Sequence, residues 1–387
     1  MNAAPPKIIA MLGDVVDILS GFPFKSEKFS NTGDMPVVRI RDVKRGHSNT
    51  FYTGEYESRY IVQDGDLLIG MDGEFNRERW RGGRALLNQR VCKLMPNSRR
   101  IAPNFLYHFL PRALKEIEDR TPFATVKHLS ANDIREIQIP LPPLDEQRRI
   151  ASILDKADAL RRKRERALDL LDSLPQFLFI DMFGRPGDNT SPVPQRKLGE
   201  IAELINGDRS SNYPSGDDIV ESGILFLNTT NIGERGLDLR DARYITEQKF
   251  NSLTRGKLAP DDIVITLRGT LGQTAIFENA GATGFINAQM MIIRPRQSIQ
   301  SRYLLQALKL DEMLVYFQQI GSGSAVPQLT AKQMSEIQIP VPDVRAQEAF
   351  GRRRDAIGRV LKGAMLQAQH LETLFLSLQH HAFSGEL

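Results

Sequence analysis

The stretch LSANDIREIQIPLPP at residues 129–143 is written again as LTAKQMSEIQIPVPD at 329–343. A repeat at this distance restricts the chain to folds that contain two copies of one unit. Leu129, Ala131, Glu136, Ile137, Gln138, Ile139, Pro140, Pro142 and Gln147 recur as Leu329, Ala331, Glu336, Ile337, Gln338, Ile339, Pro340, Pro342 and Gln347. The echo continues upstream in weaker form. LGDVVDILSG (12–21) resembles LGEIAELING (198–207), and VQDGDLLIGMDG (62–73) resembles LAPDDIVITLRG (258–269). LNQRVCKLMP (87–96) lines up with NAQMMIIRPR (287–296), and FLYHFL (105–110) with YLLQAL (303–308). The expected architecture is α+β: two similar mixed α/β globules, each followed by a long helix.

The helices announce themselves by a heptad. With Ile150 as position a, the apolar seam of the first helix is Ile150, Ile153, Ala157, Leu160, Leu171, Leu174 and Leu178. The same phase in the second copy gives Phe350, Ile357, Val360, Ala364, Leu371, Leu374 and Leu378. A phase that survives the repeat is a coiled-coil signal. Pro143 and Pro342 precede the helices, where proline is tolerated, and Pro175 predicts a kink or break near Leu174. A helix of this length is a rod of roughly 57 Å, longer than an ordinary domain face, so it calls for a partner of equal length. The second helix supplies one. Connectivity then makes the pair antiparallel, with the globules at opposite ends and the halves related by a pseudo-two-fold axis. The expected boundaries are 1–144 and 184–343 for the globules, and 145–183 and 344–387 for the helices.

PVVRIR, DLLIGM, ILFLNTT and DIVITLRG read as strands, FLYHFLPRALKEIEDR and YLLQALKLDEMLVYFQQ as helices. The two copies differ most in their loops. MDGEFNRERWRGG (71–83) stands against LRGTLGQTAIFENAGATG (267–284), and RTPFATVKH (120–128) against GSGSAVPQ (321–328). A shared skeleton with unlike loops is the layout of two readers of different targets.

Charge indicates what is read. The net charge of +4 is uninformative alone. Its distribution is not: Arg77, Arg79, Arg81, Arg84, Arg90, Lys93, Arg99 and Arg100 crowd one stretch, opposed only by Glu78. That density suggests a polyanion partner, although charge by itself fits a solvated surface better. Sequence readout of DNA needs Arg, Lys, Asn and Gln at base edges, with other cations on phosphates. The candidates in the first globule are Arg39, Arg41, Lys44, Arg45, Asn76, Arg77, Arg79, Arg81 and Arg84, with Trp80 packing on a sugar or base. In the second they are Asn228, Thr229, Thr230, Asn231, Arg268, Gln273 and Ser324. Asp72 and Glu74 would orient the arginines or accept from cytosine N4. The competing reading of each is a surface or loop-stabilising side chain.

Chemistry of its own is hard to find. There is no G-x-x-x-x-G-K-[ST] loop and no Asn/Asp-Pro-Pro-Tyr/Phe tetrapeptide. Glu247-Gln248-Lys249 precedes Pro260-Asp261, the wrong order for a nuclease carboxylate set. His380-His381 lacks cysteine or carboxylate company, so no metal and no cofactor is expected on this chain. One cysteine excludes an internal disulfide, and no apolar run reaches the ~18 residues of a membrane span, so a cytoplasmic protein with no membrane partner is the default.

The block EIQIPLPPLDEQRRIASILDKAD, its copy IQIPVPD with AQE, the FIDMFG ending and the terminal AFSGEL resemble the specificity subunit of type I restriction-modification systems. LLIGMDGEFN with WRGGRALLNQRVCKL resembles a target-recognition domain of that family. The resemblance spans the whole chain. It implies a non-catalytic, DNA-binding subunit in which each recognition domain reads half of a bipartite, asymmetric double-stranded DNA target. The helices would set the spacer between half-sites and dock the methyltransferase subunits, expected to be two. Restriction/translocase subunits would join them. S-adenosylmethionine, ATP and Mg²⁺ would then belong to the partners. The contrasting readings are a coiled-coil scaffold that binds only proteins, and a self-contained nuclease or methyltransferase.

Overall fold

A computed structural model describes residues 8–120, 127–188, 190–208, 212–233, 236–278, 283–321 and 327–387. The chain divides into two compact units. One comprises residues 1–165 with 366–387, the other residues 166–365. Each unit therefore holds one globule and a portion of both long helices, the central helix Leu144–Phe183 and the C-terminal helix Val344–Ser384.

The first unit is built on a four-stranded antiparallel sheet in the order Val16–Ser20, Val91–Pro96, Leu67–Gly70, Arg77–Arg79. The second repeats it with Ala202–Asn206, Met290–Pro295, Ile263–Thr266 and Thr274–Ile276. The central strands are near-continuous apolar runs because both faces are covered: Leu67–Gly70 and Ile263–Thr266 are buried throughout. Val16–Ser20 and Ala202–Asn206 are each followed by a glycine that no side chain could replace. A Cβ on Gly21 would lie 2.0 Å from the Asn88 carbonyl oxygen, and one on Gly207 2.1 Å from that of Asn287. The matched asparagines place Arg90 opposite Gln289, one residue off the register read from LNQRVCKLMP and NAQMMIIRPR. Val91 and Met290 each donate to the asparagine three residues back.

The repeated junction closes each globule. Gln138–Pro140 pairs with Ile9–Met11 in the first, and Gln338–Pro340 with Gln195–Lys197 in the second. The buried amide of Gln147 then staples the start of the central helix to the globule. Its Oε1 accepts from the Ala102 N–H at 2.8 Å, and its Nε2 donates to the carbonyls of Pro142 (2.8 Å) and Arg100 (3.2 Å). Gln347 does the same with the Gln300 N–H (2.9 Å) and the carbonyls of Ser298 (3.0 Å) and Pro342 (3.1 Å). Both glutamine side chains are buried, so an amide with these backbone partners is a structural requirement.

Within each unit the two long helices run antiparallel. In the first, Arg149 reaches the Leu387 carbonyl (2.8 Å), and Arg161 reaches Glu372 (3.1 Å) and the ring of Phe375. In the second, Phe179 and Phe183 pack on Phe350, and Arg353 approaches the Met182 sulfur.

The heptad repeat persists, but its second row is not the expected one. The a row stays inward: Ile150, Phe350 and Ala364 are buried, and Ala157, Leu171, Leu178, Ile357, Leu371 and Leu378 half-buried. The d row does not. Leu160, Leu174, Val360 and Leu374 are exposed, and Ile153 is half-buried. Inward residues instead follow a by four: Leu154, Leu168, Met182, Leu361, Ala368, Phe375 and Ala382. The reason is that each helix has two neighbours, the other helix and a globule. Leu154 shares one core with Phe105 and Leu106 of the globule, which turns the stripe away from a helix-only seam.

Three further expectations change. The central helix continues through Pro175 without a break, although proline withholds one N–H from the ladder. PVVRIR is a strand only at Val37–Val38, after which Ile40–Arg45 is helical. The helix expected from Tyr303 is two helices, Ser301–Leu308 and Asp311–Ile320. Gln176 of the central helix causes the restart to hold: its Oε1 accepts from the Asp311 N–H, and its Nε2 donates to the Asp311 carboxylate, both at 2.9 Å.

Candidate nucleic-acid interface

The basic stretch of the first globule divides into side chains turned to solvent and side chains built into the fold. Arg41, Lys44, Arg45, Arg81 and Arg84 are exposed. Arg39 precedes the helix Ile40–Arg45, and its backbone N–H donates to Asp42 (3.0 Å). Arg41 reaches the Thr50 hydroxyl (3.3 Å), and Lys44 pairs with Glu74 (2.7 Å). That contact holds the Glu74 carboxyl below its ordinary range.

Trp80 cannot stack on a sugar or base. It is 1% exposed, with its indole N–H donated to the Gly83 carbonyl at 2.7 Å. Its ring lies among Val38, Leu68 and Leu87, because an isolated large ring in a sheet-bounded loop gains most by burial. Arg77 is likewise committed. Its guanidinium lies 3.6 Å from the centre of the Tyr107 ring and its Nε donates to the Tyr107 carbonyl (2.9 Å). Burial pulls its pKa below the ordinary arginine value. Arg79 bonds Asn104 (2.8 Å) and the Gly65 carbonyl (3.3 Å). Asn76 donates to the Glu74 carbonyl, leaving its Oδ1 buried without a partner among the described residues.

In the second globule Asn231 is also a scaffold residue. It is buried, its Oδ1 accepting from the Asn228 N–H (2.9 Å) and its Nδ2 donating to the Asp238 carbonyl (3.1 Å). It repeats the role of Asp42 beside Arg39. Asn228 holds the loop with Asn287 (3.4 Å). Thr229, Thr230, Arg268 and Gln273, by contrast, line one open cleft together with Thr266 and Gln289. Ser324 lies outside the described residues.

The sequence reading left out His128 and Gln328, which the backbone brings to matching places beside Asp72 and Arg268. In both globules the residue after the buried central strand is pinned by two main-chain bonds. Met71 donates to the Arg90 carbonyl and accepts from the Leu129 N–H; Leu267 donates to the Gln289 carbonyl and accepts from the Leu329 N–H. A single bridge follows each, Asp72 with His128 and Arg268 with Gln328. Asp72 takes His128 Nδ1 at 2.6 Å and Arg90 Nε at 3.2 Å. Arg268 Nε donates to Gln328 Oε1 at 2.7 Å. The available signal was the repeat itself: His128 and Gln328 immediately precede the matched Leu129 and Leu329.

Among the described residues no group of histidine, cysteine and carboxylates has a metal-binding arrangement, and no helix is long and apolar enough to cross a membrane. The arrangement is one of polar and charged side chains. It offers hydrogen-bond donors and acceptors on loops around a rigid sheet, which is suited to recognition.

The chain matches the family described as type I restriction modification DNA specificity domain twice, over residues 9–169 and 191–361. It is similar to the type I restriction enzyme EcoBI specificity subunit of Escherichia coli, at 30% identity over 97% of this chain and 85% of that one. The MjaVIII specificity subunit of Methanocaldococcus jannaschii is 20% identical over 84% of this chain and 80% of its own. The fold is that of solved type I proteins. One, from work on complex assembly and conformational transition of the type I R-M system, superposes with a TM-score of 0.61 at 20% identity, over the whole of both chains. The S subunit from M. genitalium gives 0.51 at 16% identity, over 99% of this chain and 97% of that one. On its two matches and its full-length relatives, the chain belongs to the type I restriction modification DNA specificity family, with one specificity domain in each half.

Proposed function

We propose that each specificity domain reads one half of a bipartite, asymmetric double-stranded DNA site, and that the paired helices set the spacer between the halves. As a specificity subunit the chain is a non-catalytic member of a restriction-modification complex. The observation that carries the bipartite reading is the repeat: two copies of one sheet and one junction, with unlike polar side chains on the loops. Two copies of one scaffold with different loops have no use for a single continuous target.

The recognition domains are assigned to 1–144 and 184–343, and the spacer helices to 145–183 and 344–387. Of the first-domain candidates, Arg39, Arg41, Lys44, Arg45, Arg81 and Arg84 are assigned to DNA, mainly to phosphates. In the second domain the assignment goes to Thr229, Thr230, Arg268 and Gln273. Exposed apolar residues on the helices support docking of partners there: Leu170 and Phe177 in one unit, Leu366 and Leu376 in the other. The partners are two methyltransferase subunits and restriction/translocase subunits, which carry S-adenosylmethionine, ATP and Mg²⁺. The complex works in the cytoplasm.

The test is methylation-resolved sequencing of DNA from cells producing this chain with its modification subunit. A two-part motif with a fixed gap is expected; a continuous motif would refute the bipartite reading. Inserting seven residues into each long helix adds roughly 10 Å. At roughly 3.4 Å per base pair the gap should widen by about three. An unchanged gap in a folded, active variant would remove the spacer role.

A further inference from the structure

The two halves hold one scaffold but serve two sequences, and this separates structural side chains from reading ones. Where the fold needs a group, both copies have it: Gln147 and Gln347 at the junction, Asp66 and Asp262 on their own loop amides, Asn88 and Asn287 under the close-packed glycines. Where main-chain geometry is the same and the side chains are polar but unlike, the scaffold is not the reason for the choice. Three such positions meet at one point in each half: Asp72, Arg90 and His128, against Arg268, Gln289 and Gln328. Their backbones are joined by the same bonds. The side chains of Arg90 and His128 are half exposed, and Gln289 is exposed.

We propose that these matched triads are the base-reading heads of the two domains. This deepens the proposed DNA-reading function and rests on it. In the first domain Arg90 reads a guanine. Asp72 positions it through Nε (3.2 Å) and Nη1 (3.4 Å), and His128 braces the carboxylate at 2.6 Å. A guanidinium has five N–H donors; Nε and Nη1 face Asp72, and Nη1 also lies 3.3 Å from His128 Nδ1, so this grip leaves the two donors of Nη2 for the O6 and N7 acceptors of guanine. Holding the fork in place beforehand reduces the conformational entropy lost on binding. In the second domain Arg268 Nε donates to Gln328, and among the described residues no hydrogen bond engages its terminal nitrogens, which are offered to a guanine. Gln289, in the same cleft, has the amide that pairs with adenine N6 and N7. Asp72, His128 and Gln328 are positioning residues.

The experiment uses the chain assembled with its modification subunit. Binding is measured to a cognate duplex and to duplexes changed at one base pair of either half-site, alongside the methylated motif. Arg90→Gln should reduce discrimination at one guanine of the first half-site by on the order of ten- to a hundred-fold, and leave the second half-site untouched. Arg268→Ala should do the reverse. Asp72→Asn should weaken discrimination at the same guanine as Arg90→Gln, with Asp72→Glu restoring part of it. Equal weakening on cognate and altered duplexes would overturn the inference, because phosphate contact or a merely structural role gives that result. So would an unchanged motif in Arg90→Gln. If the wild-type complex shows no sequence preference at all, the DNA-reading function itself fails and the triads fail with it.

Discussion

The two units fasten their globules to the long helices by packing, and the first adds an ionic network beside it. In the second unit the contact is aromatic. Phe179 and Phe183 of the central helix, Phe350 of the C-terminal helix and Tyr303 of the globule meet with ring centres 5.2–5.7 Å apart in most pairs. In the first unit the same ground is packed too, with Phe383 on Phe105 and Phe109 at ring-centre distances of 5.2 and 5.3 Å, and an ionic network lies beside it. Glu78 accepts from the Tyr107 hydroxyl (2.9 Å), which accepts from Arg162 (2.7 Å). Asp158 takes both Arg162 (2.7 Å) and Arg161 (2.9 Å), and Arg161 continues to Glu372. Burial works to raise the Asp158 pKa, but hydrogen bonds and charge from Arg161 and Arg162 hold it below its ordinary value. The difference teaches that the repeat keeps the packed contact and leaves the groups beside it free to differ. Glu78 and Tyr107 belong to the segments that also position Arg77 and Arg79. A polar network therefore ties the basic strand of the first domain to the helices, in addition to the packing that holds both domains.

Breaking the aromatic packing should have the largest effect. Phe350→Ala removes a fully buried ring from the second unit and should cost about 3–5 kcal/mol. It would be read as earlier denaturant unfolding, with hydrogen exchange in Ser301–Leu308 rising before that in Pro103–Arg120. In the ionic network Asp158→Asn leaves two arginines without their carboxylate. For a partly solvated network the loss should be about 1–3 kcal/mol, less than a fully buried pair would show. Unlike the Phe350 loss, it should shrink in high salt.

A control on which the two units should agree is the junction. Gln147→Ala and Gln347→Ala each remove a buried amide from matching backbone partners and should cost similar amounts, about 1–3 kcal/mol in thermal or denaturant melts. Unequal costs would mean that the staples are not equivalent.

The smallest expected effect is pH dependence confined to the first unit. Burial pulls the His108 pKa down despite its bond to Asp155 (2.7 Å), and the matched residue in the second unit is Gln306. The folded form thus takes up its proton at lower pH than the unfolded chain, whose histidine titrates near about 6.5. Stability is undiminished above that pH and falls as pH drops from there through the folded value. His108→Gln should flatten this loss in melts taken between about pH 7 and pH 5. No change would show that the acid sensitivity lies elsewhere.

Much of this was legible in the residues. The duplicated EIQIP junction, the paired glutamines and the glycines after the matched strands each answer a local demand that any copy of the fold must meet, so they appear twice in the text. The heptad was legible in period but not in phase, because Leu154 and Leu160 are equally apolar and only the second neighbour of the helix decides which turns inward. Trp80, Arg77 and Asn231 looked like readers because their types suit reading. Whether a polar side chain faces a base or a carbonyl depends on what the fold places within 3 Å of it.

The sequence by itself determined a duplicated α+β chain with long helices, family membership, and a basic loop in its first half, because repeats, periodicity and charge are properties of order along the chain. Only the tertiary structure decided which arginines are committed to Tyr107, which helix row is buried, and that residues 72, 90 and 128 meet as residues 268, 289 and 328 do. Those outcomes depend on contacts between segments far apart in the chain, and such contacts leave no local pattern to read.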